Sequence, residues 1–210
     1  VGESSAGAYT PATATTAGYT STTNFTDDTD DISIVGNGKT RTIDIAANDS
    51  AKDIARKINS VAGATTVFAQ ARTYLHVASS SATSENYQLS INGTSTASFS
   101  ISSNDVTDAV AKINAIHSTT GVMASATTEN KILLIDSDGD DVIIRNGAAG
   151  TNLTVSGVNS DGVTEAGSLR TLAASGAALT TATPGGGPPG ETRRSCVCCR
   201  RCRCDTARCG

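Results

Sequence analysis

The sequence predicts a β-rich α+β fold made of two tandem ββαββ units, and three observations carry the prediction. The first is an internal repeat. Ile32 to Val77 (ISIVGNGKTRTIDIAANDSAKDIARKINSVAGATTVFAQARTYLHV) recurs, with small length changes, as Leu89 to Ile135 (LSINGTSTASFSISSNDVTDAVAKINAIHSTTGVMASATTENKILLI). A period of roughly 56 residues makes each copy one supersecondary unit. The second is composition: aromatics are 3% and Trp is absent, so the core falls to Ile, Val, Leu and Ala, while Ser, Thr, Ala and Gly suit strands with one hydroxylated face toward water. The third is period-two alternation of Ile on both sides of an Asn-Gly turn, the short-range signature of a hairpin.

Residues 1–30 read as an extended lead-in, with one edge strand around Tyr19 to Phe25 and an acidic break at Asp27, Asp28, Asp30 and Asp31. The first unit spans 31–82. Ile32 and Ile34 alternate with polar residues before Gly36-Asn37-Gly38, and Ile43 and Ile45 after it, with Gly38 shaping the turn. Asn48 and Asp49 are the candidate N-caps of a helix over SAKDIARKINSVAG, in which Ile54, Ile58 and Val61 fall at i, i+4 and i+7 and Gly63 closes the end. Val67, Ala69 and Ala71 lead a third strand, and Leu75 and Val77 a fourth after a turn near Arg72 to Tyr74.

The second unit, within 83–163, restates the pattern. Tyr87, Leu89 and Ile91 form a strand, Asn92-Gly93 a turn with Gly93 shaping it, Phe99 and Ile101 a second strand, and Asn104-Asp105 a cap. The helix then turns Val106, Ala109, Val110 and Ile113 inward, and Val122, Ala124, Ala126 and Ile132 to Ile135 supply the closing strands. Lys57-Ile58-Asn59 and Lys112-Ile113-Asn114 end equivalent helices. Ile58 and Ile113 anchor them, Asn48 and Asn104 begin them, Asn59 and Asn114 close the tripeptides, and each Lys complements the helix dipole. Val142 to Arg145 and Leu153 to Val155 read as two trailing strands. Residues 164–190 lack a period and read as a linker or re-entry segment, with PGGGPPG at 184–190 ending regular structure.

Charge excludes one class of partner. Six of the 16 Lys and Arg and two of the 20 Asp and Glu fall in residues 191–210, leaving 10 basic against 18 acidic groups, a balance of −8, in the first 190. An acidic body with no basic stripe and few aromatics is a poor nucleic-acid binder. No run of about 18 apolar residues is present for membrane insertion, and no charged n-region precedes an apolar h-region. A chain opening at Val1 reads as a fragment or processed product.

With these residues in place, the pattern Ile-x-Ile-x-x-Asn-Asp, helix, Lys-Ile-Asn, Gly-x-Val-x-Ala, carried by Ile43 to Ala71 and again by Phe99 to Ala126, resembles the flagellin hook IN motif of the variable outer region of bacterial flagellins. The stretch from Asp136 to Ile144 (DSDGDDVII) resembles the segment that commonly follows it. The likeness covers roughly residues 30–160 and is shared by hook-associated and filament-capping proteins. It implies a structural, non-enzymatic, extracellular segment on the surface of the flagellar filament, serving motility and antigenicity. Its partners would be other flagellin subunits, through flanking helices, and receptors or antibodies at the exposed surface. It implies no cofactor, export without a signal peptide, and O-linked sugar on exposed Ser or Thr. The long amphipathic terminal helices of flagellins are not in this sequence, so this chain alone is not expected to polymerise. A secreted adhesin or carbohydrate-binding module is a further reading, with Tyr9, Tyr19, Tyr74 and Tyr87 as its candidate platform.

Other constellations have plainer explanations. All six Cys (Cys196, Cys198, Cys199, Cys202, Cys204 and Cys209) lie within 14 residues after 195 without one. Thiolates at such spacing can ligate zinc or copper or form a disulfide knot, but Gly, Pro, Arg and Cys together, with no apolar scaffold, fit GC-rich DNA read in a wrong frame. Residues 191–210 are therefore expected to be non-native. Asp136, Asp138, Asp140 and Asp141 around Gly139 evoke a calcium loop, yet Gly stands fourth rather than sixth and position twelve is Gly147 rather than Glu; a solvated turn is expected. His76 and His117 show no spacing to a nucleophile, and His117 at a helix end has a dipole role. Asn24-Phe-Thr, Asn48-Asp-Ser, Asn92-Gly-Thr and Asn152-Leu-Thr match the N-glycosylation tripeptide, a chance match in so Ser/Thr-rich a chain. No catalytic or metal-binding set is expected.

Overall fold

A computed structural model describes residues 31–148, 150–159, 161–172, 178–181 and 198–199. In chain order the elements are β1 (Ile32–Gly36), β2 (Lys39–Ile43), α1 (Ala51–Ser60), α2 (Ala62–Thr65), β3 (Ala69–Gln70), β4 (Thr73–Ser79), β5 (Glu85–Tyr87), β6 (Leu89–Ile91), β7 (Thr94–Ser95) and β8 (Phe99–Ile101). They continue with α3 (Thr107–Asn114), α4 (His117–Thr120), β9 (Val122–Ala126), β10 (Ile132–Asp136), β11 (Val142–Asn146), β12 (Leu153–Val158), β13 (Glu165–Thr171), β14 (Ala178–Thr181) and β15 (Cys198–Cys199). The chain is α+β and β-rich.

Both Asn-Gly pairs make hairpin turns with two left-handed residues. Asn37 and Gly38 have φ 47° and 67°, and Asn92 and Gly93 have φ 48° and 83°, the type I′ signature whose twist matches that of flanking strands. Around the first, β1 and β2 pair from Ile32↔Ile43 to Gly36↔Lys39. The second hairpin is interrupted. Ile91 pairs with Thr94 and Tyr87 with Phe99, but between them the Thr96 hydroxyl takes the Leu89 N–H (3.1 Å) while Gln88 offers its carbonyl to Gly147 (2.7 Å). The strand expected from Tyr87 to Ile91 is thus split at Gln88, where it changes neighbours.

Helix α1 buries Ala51, Ile54, Ala55 and Ile58, the expected stripe. Its start differs from expectation. Ser50 is the N-cap: its Oγ accepts the Asp53 N–H (3.2 Å), and Asp53 Oδ2 accepts the Ser50 N–H (3.2 Å), a reciprocal capping box. Asn48 lies two residues upstream with φ 66°, turning the chain rather than capping it. Burial alone would raise the Asp53 pKa; hydrogen bonds from Ser50 and the charge of Arg56 outweigh it and hold it below the usual carboxylate value. Asn104 does not begin α3 either. Asp105 Oδ1 accepts the Thr107 N–H (2.9 Å). Gly63 sits within α2, and the chain leaves that turn through Thr66 at φ 57°; the counterpart leaving α4 is Gly121 at φ 75°. His117 opens α4 and is not at a helix C-terminus.

Apolar side chains gather in two cores. The smaller holds Ile34, Ile43, Ile45, Ile54, Ala55, Ile58, Val67 and Ala69 under the first hairpin and α1. The larger takes Leu75 and Val77 of β4 together with Leu89, Phe99, Ile113, Val122, Ile132, Leu134, Ile144 and Leu153, among others. The reason is topological. Strand β4 lies between β10 and β12 in a five-stranded sheet ordered β13-β12-β4-β10-β9, so the last strand of the first copy packs with the second. A four-stranded sheet ordered β14-β11-β6-β7 contributes to the same core.

The segment from 164 onward is not only linker. Strand β13 pairs with β12 and β14 with β11, each antiparallel. Both strands add to an edge of a sheet formed earlier in the chain, and pairing of that kind leaves little local pattern in the sequence. The expected strand at Tyr19 to Phe25, the acidic run from Asp27 to Asp30 and the 184–190 stop lie outside the described residues. So does the Cys/Arg tail, apart from the backbone pairing of Cys198 and Cys199 with Gln70 and Ala69.

Candidate functional site

The Asn residues of the two Lys-Ile-Asn tripeptides make the same pair of hydrogen bonds. Asn59, the penultimate residue of α1, donates through Nδ2 to the Ala69 carbonyl (2.9 Å) and accepts the Ala69 N–H on Oδ1 (2.9 Å). Asn114, the last residue of α3, does the same to Ala124, at 2.9 Å and 2.8 Å. A second clasp stands beside each. Thr65 Oγ1 donates to the Val61 carbonyl (3.1 Å) and accepts the Val67 N–H (3.3 Å). Thr120 Oγ1 donates to the Ile116 carbonyl (3.1 Å) and accepts the Val122 N–H (3.2 Å). One residue before each Asn, Ile58 and Ile113 are buried in the two cores. Apolar anchor and polar clasp thus sit on adjacent residues, so the helix cannot roll without breaking one of them. Lys57 Nζ donates to the Asp44 carbonyl (2.9 Å) and pairs with the Asp49 carboxylate, which also accepts the Ala46 N–H (2.8 Å).

The acidic turn is an anchor and not a freely solvated loop. Asp136 is buried, and its Oδ1 accepts N–H bonds from Asp138 (3.0 Å), Gly139 (2.9 Å) and Asp140 (3.3 Å). Three donors on one oxygen hold the turn in the tight form that Gly139, at φ 80°, permits. The turn seats the first unit on the second. Lys52 of α1 donates its backbone N–H to the Gly139 carbonyl (3.0 Å) and its ammonium to Asp140 (2.7 Å) and Asp138 (3.5 Å). Thr73 donates to the Asp140 carbonyl (2.8 Å). The hydrogen bond to Asp140 is the main reason the Lys52 pKa lies above its usual value. Among the described residues no group of three or more His, Cys, Asp and Glu is arranged to hold a metal ion.

The remaining candidates are structural where they are described. His76 is buried on β4 with Nδ1 3.4 Å from Glu165 Oε1, which also takes the Lys131 ammonium (2.8 Å). Burial would raise the Glu165 pKa, but the Lys131 and His76 hydrogen bonds bring it below the usual value. Tyr87 is buried, donates to Glu85 (2.8 Å) and accepts the Asn152 N–H (3.1 Å), so it is no sugar platform; Tyr9 and Tyr19 lie outside the described residues. Asn92 spends its amide on the Thr120 carbonyl (3.1 Å) and the Ile143 N–H (2.9 Å), and Asn152 donates to Glu85 (2.8 Å). No helix among the described residues is long and apolar enough to cross a membrane.

Residues 31–73, the stretch holding the hairpin, α1, its Asn59 clasp and the start of β4, match the family of the flagellin hook IN motif. The likeness is to this motif, over about a fifth of the chain. It is carried by the first copy; the second, Leu89 to Ile135, lies outside the matched stretch. No curated protein matches the chain.

Proposed function

We propose that this chain is a surface-exposed outer segment of a flagellin-type filament protein, extracellular, structural and without catalytic activity. One observation carries the reading: the Lys-Ile-Asn clasp of the matched stretch reappears in the second copy with the same partners, Asn114 on Ala124 and Thr120 on Val122. Two modules of one motif share a sheet through β4, and their surface carries Ser, Thr and Asn side chains suited to solvent, antibodies or receptors. Assembly into a filament would fall to flanking helices that contact neighbouring subunits. O-linked sugar on exposed Thr belongs to the same proposal, and the intact mass of native material reads it directly.

Immunogold labelling of the source cells with antibodies against residues 31–172 tests the assignment. Label along the whole filament is the expected result. Label confined to the filament tip or the hook junction would assign the chain to a capping or hook-associated protein instead. Filaments free of label would overturn both.

A further inference from the structure

The Asn114 clasp sits where an edge strand would otherwise be open. Strand β9 is the last strand of the five-stranded sheet and pairs only with β10 among the described residues. In an antiparallel ladder the N–H and C=O of a residue point to the same side, and the side alternates along the strand. Thr127, continuing β9, gives its N–H to Lys131 on the β10 side (2.8 Å). By alternation Ala124 and Val122 direct their backbone groups away from β10, toward the edge. Those are the residues clasped. Asn114 takes both backbone groups of Ala124, and Thr120 takes the Val122 N–H.

The sequence of the edge explains why a clasp is needed. Exposed edges are usually protected by charge, Pro, a bulge or a cover. Strand β2 (KTRTI), in a two-stranded sheet, carries Lys39 and Arg41. Strand β9 (VMASA) has no charged residue and no Pro, and its Met123 is 54% exposed. A short uncharged apolar edge is a template for another strand. In the first copy Asn59 holds Ala69 by the same two hydrogen bonds, but strand β3 there pairs with β15 in a sheet of its own.

We propose that Asn114 acts as a strand mimic: the primary amide supplies one donor and one acceptor in the place of a neighbouring strand, closing the edge against pairing with a second copy of this chain. The primary amide presents its donor N–H and acceptor carbonyl on separate atoms side by side, as a peptide does. This role does not depend on the flagellar assignment.

The test is self-association of the full chain, followed by size-exclusion chromatography with light scattering, with reductant present so that the Cys residues do not cross-link. Asn114→Ala is expected to form concentration-dependent dimers or larger species beyond those of the parent, and its Ala124 amide to exchange with solvent about tenfold faster or more at dilution. Adding Ser125→Lys, a charge on the exposed edge, is expected to return the parent's elution. Ile113→Val, which lowers stability but leaves the clasp, is the control. Equal association of Ile113→Val and Asn114→Ala would overturn the proposal, because loosened folding would then be the cause. So would an Asn114→Ala that elutes as the parent does at every concentration. Should Asn114→Ala fail to fold, Asn114→Asp decides. As a carboxylate it keeps the acceptor for the Ala124 N–H and loses the donor to the Ala124 carbonyl; protonated, it regains that donor. Association at neutral pH that reverses toward the parent's behaviour in acid supports the strand mimic, and association unchanged by pH refutes it.

Discussion

Replacing Gly139 by Ala is expected to destabilise the fold by about 2–5 kcal/mol, against about 1–2 kcal/mol for Gly93→Ala or Gly38→Ala. All three glycines have positive φ, at 80°, 83° and 67°, so each substitution carries the left-handed strain of an L residue. They differ in what the new methyl would meet. Around Gly38 and Gly93 nothing lies within 4 Å, whereas at Gly139 it would run into Ala71 Cβ, with Ala71 C at 3.0 Å and Arg72 N at 3.1 Å. Overlap at Ala71 and Arg72 is relieved by moving the link that leads into β4 or the acidic turn, and overpacking of that kind costs about 1–3 kcal/mol beyond the strain. Because the Gly139 carbonyl holds the Lys52 N–H, the shift would also loosen α1. The chain has no Trp, so equilibrium urea unfolding is best followed by far-UV circular dichroism. A Gly139→Ala loss equal to that of Gly93→Ala would show that the turn does not press against Ala71, and the acidic turn would lose its role as the junction between the copies.

Three further outcomes follow from the same geometry. Thr66, a β-branched residue at φ 57°, stands where the second copy has Gly121, so Thr66→Gly is expected to raise stability by about 0.5–1 kcal/mol and Gly121→Thr to lower it by about 1–2 kcal/mol; thermal melts of both variants check it, and loss in both would contradict the equivalence. Ile58→Ala, at 2% exposure, is expected to cost about 2–5 kcal/mol, with fast amide exchange in α1 while β4 and β10 stay protected; a unchanged urea midpoint would remove Ile58 from the core. Glu165 and Asp53 have folded pKa values below their ordinary 4.5 and 3.8, so the unfolded state binds protons first as pH falls. Their stabilisation is complete above those ordinary values and is lost as pH drops through the lower folded ones. Urea midpoints between pH 6 and pH 3 should therefore decline less steeply in Glu165→Gln than in the parent, and equal slopes would argue against the Lys131–Glu165 contact.

Much of the local structure was legible because local chemistry decides it. Asn-Gly demands a left-handed pair, and Ile54 with Ile58 demands a helix face, whatever lies around them. The caps differ from expectation for a reason that is also local: Ser50-Ala-Lys-Asp53 has capping-box spacing with Asp in the place usually held by Glu or Gln, and Asn48 competes beside it as another residue favoured at caps. What sequence could not display was pairing at a distance. Strands β13 and β14 form because β12 and β11 offer open edges, and Asp136 is buried because its register places it opposite Val122 and Thr73. The clasp lay between these cases. Its signal was an Asn ten residues ahead of an Ala in both copies, Asn59 to Ala69 and Asn114 to Ala124, but only the hydrogen bonds show that this spacing closes a ring.

The fusion of the copies through β4 follows from their small apolar content. A unit made of one hairpin and a helix of ten residues buries eight apolar side chains in its own core, which is little for independent stability. Leu75 and Val77, both fully buried, would have no adequate partner inside such a unit. Placed between β10 and β12, they gain contacts on both sides, and the first copy is tied to the larger core by a strand as well as by Lys52 and the acidic turn. The same placement moves the open edge outward to β9, where the uncharged strand VMASA lies under Asn114. Sharing a sheet and guarding its edge are thus two consequences of one arrangement: the more strands the copies pool, the fewer edges remain, and the Asn114 amide with the Thr120 hydroxyl occupies the one that faces α3.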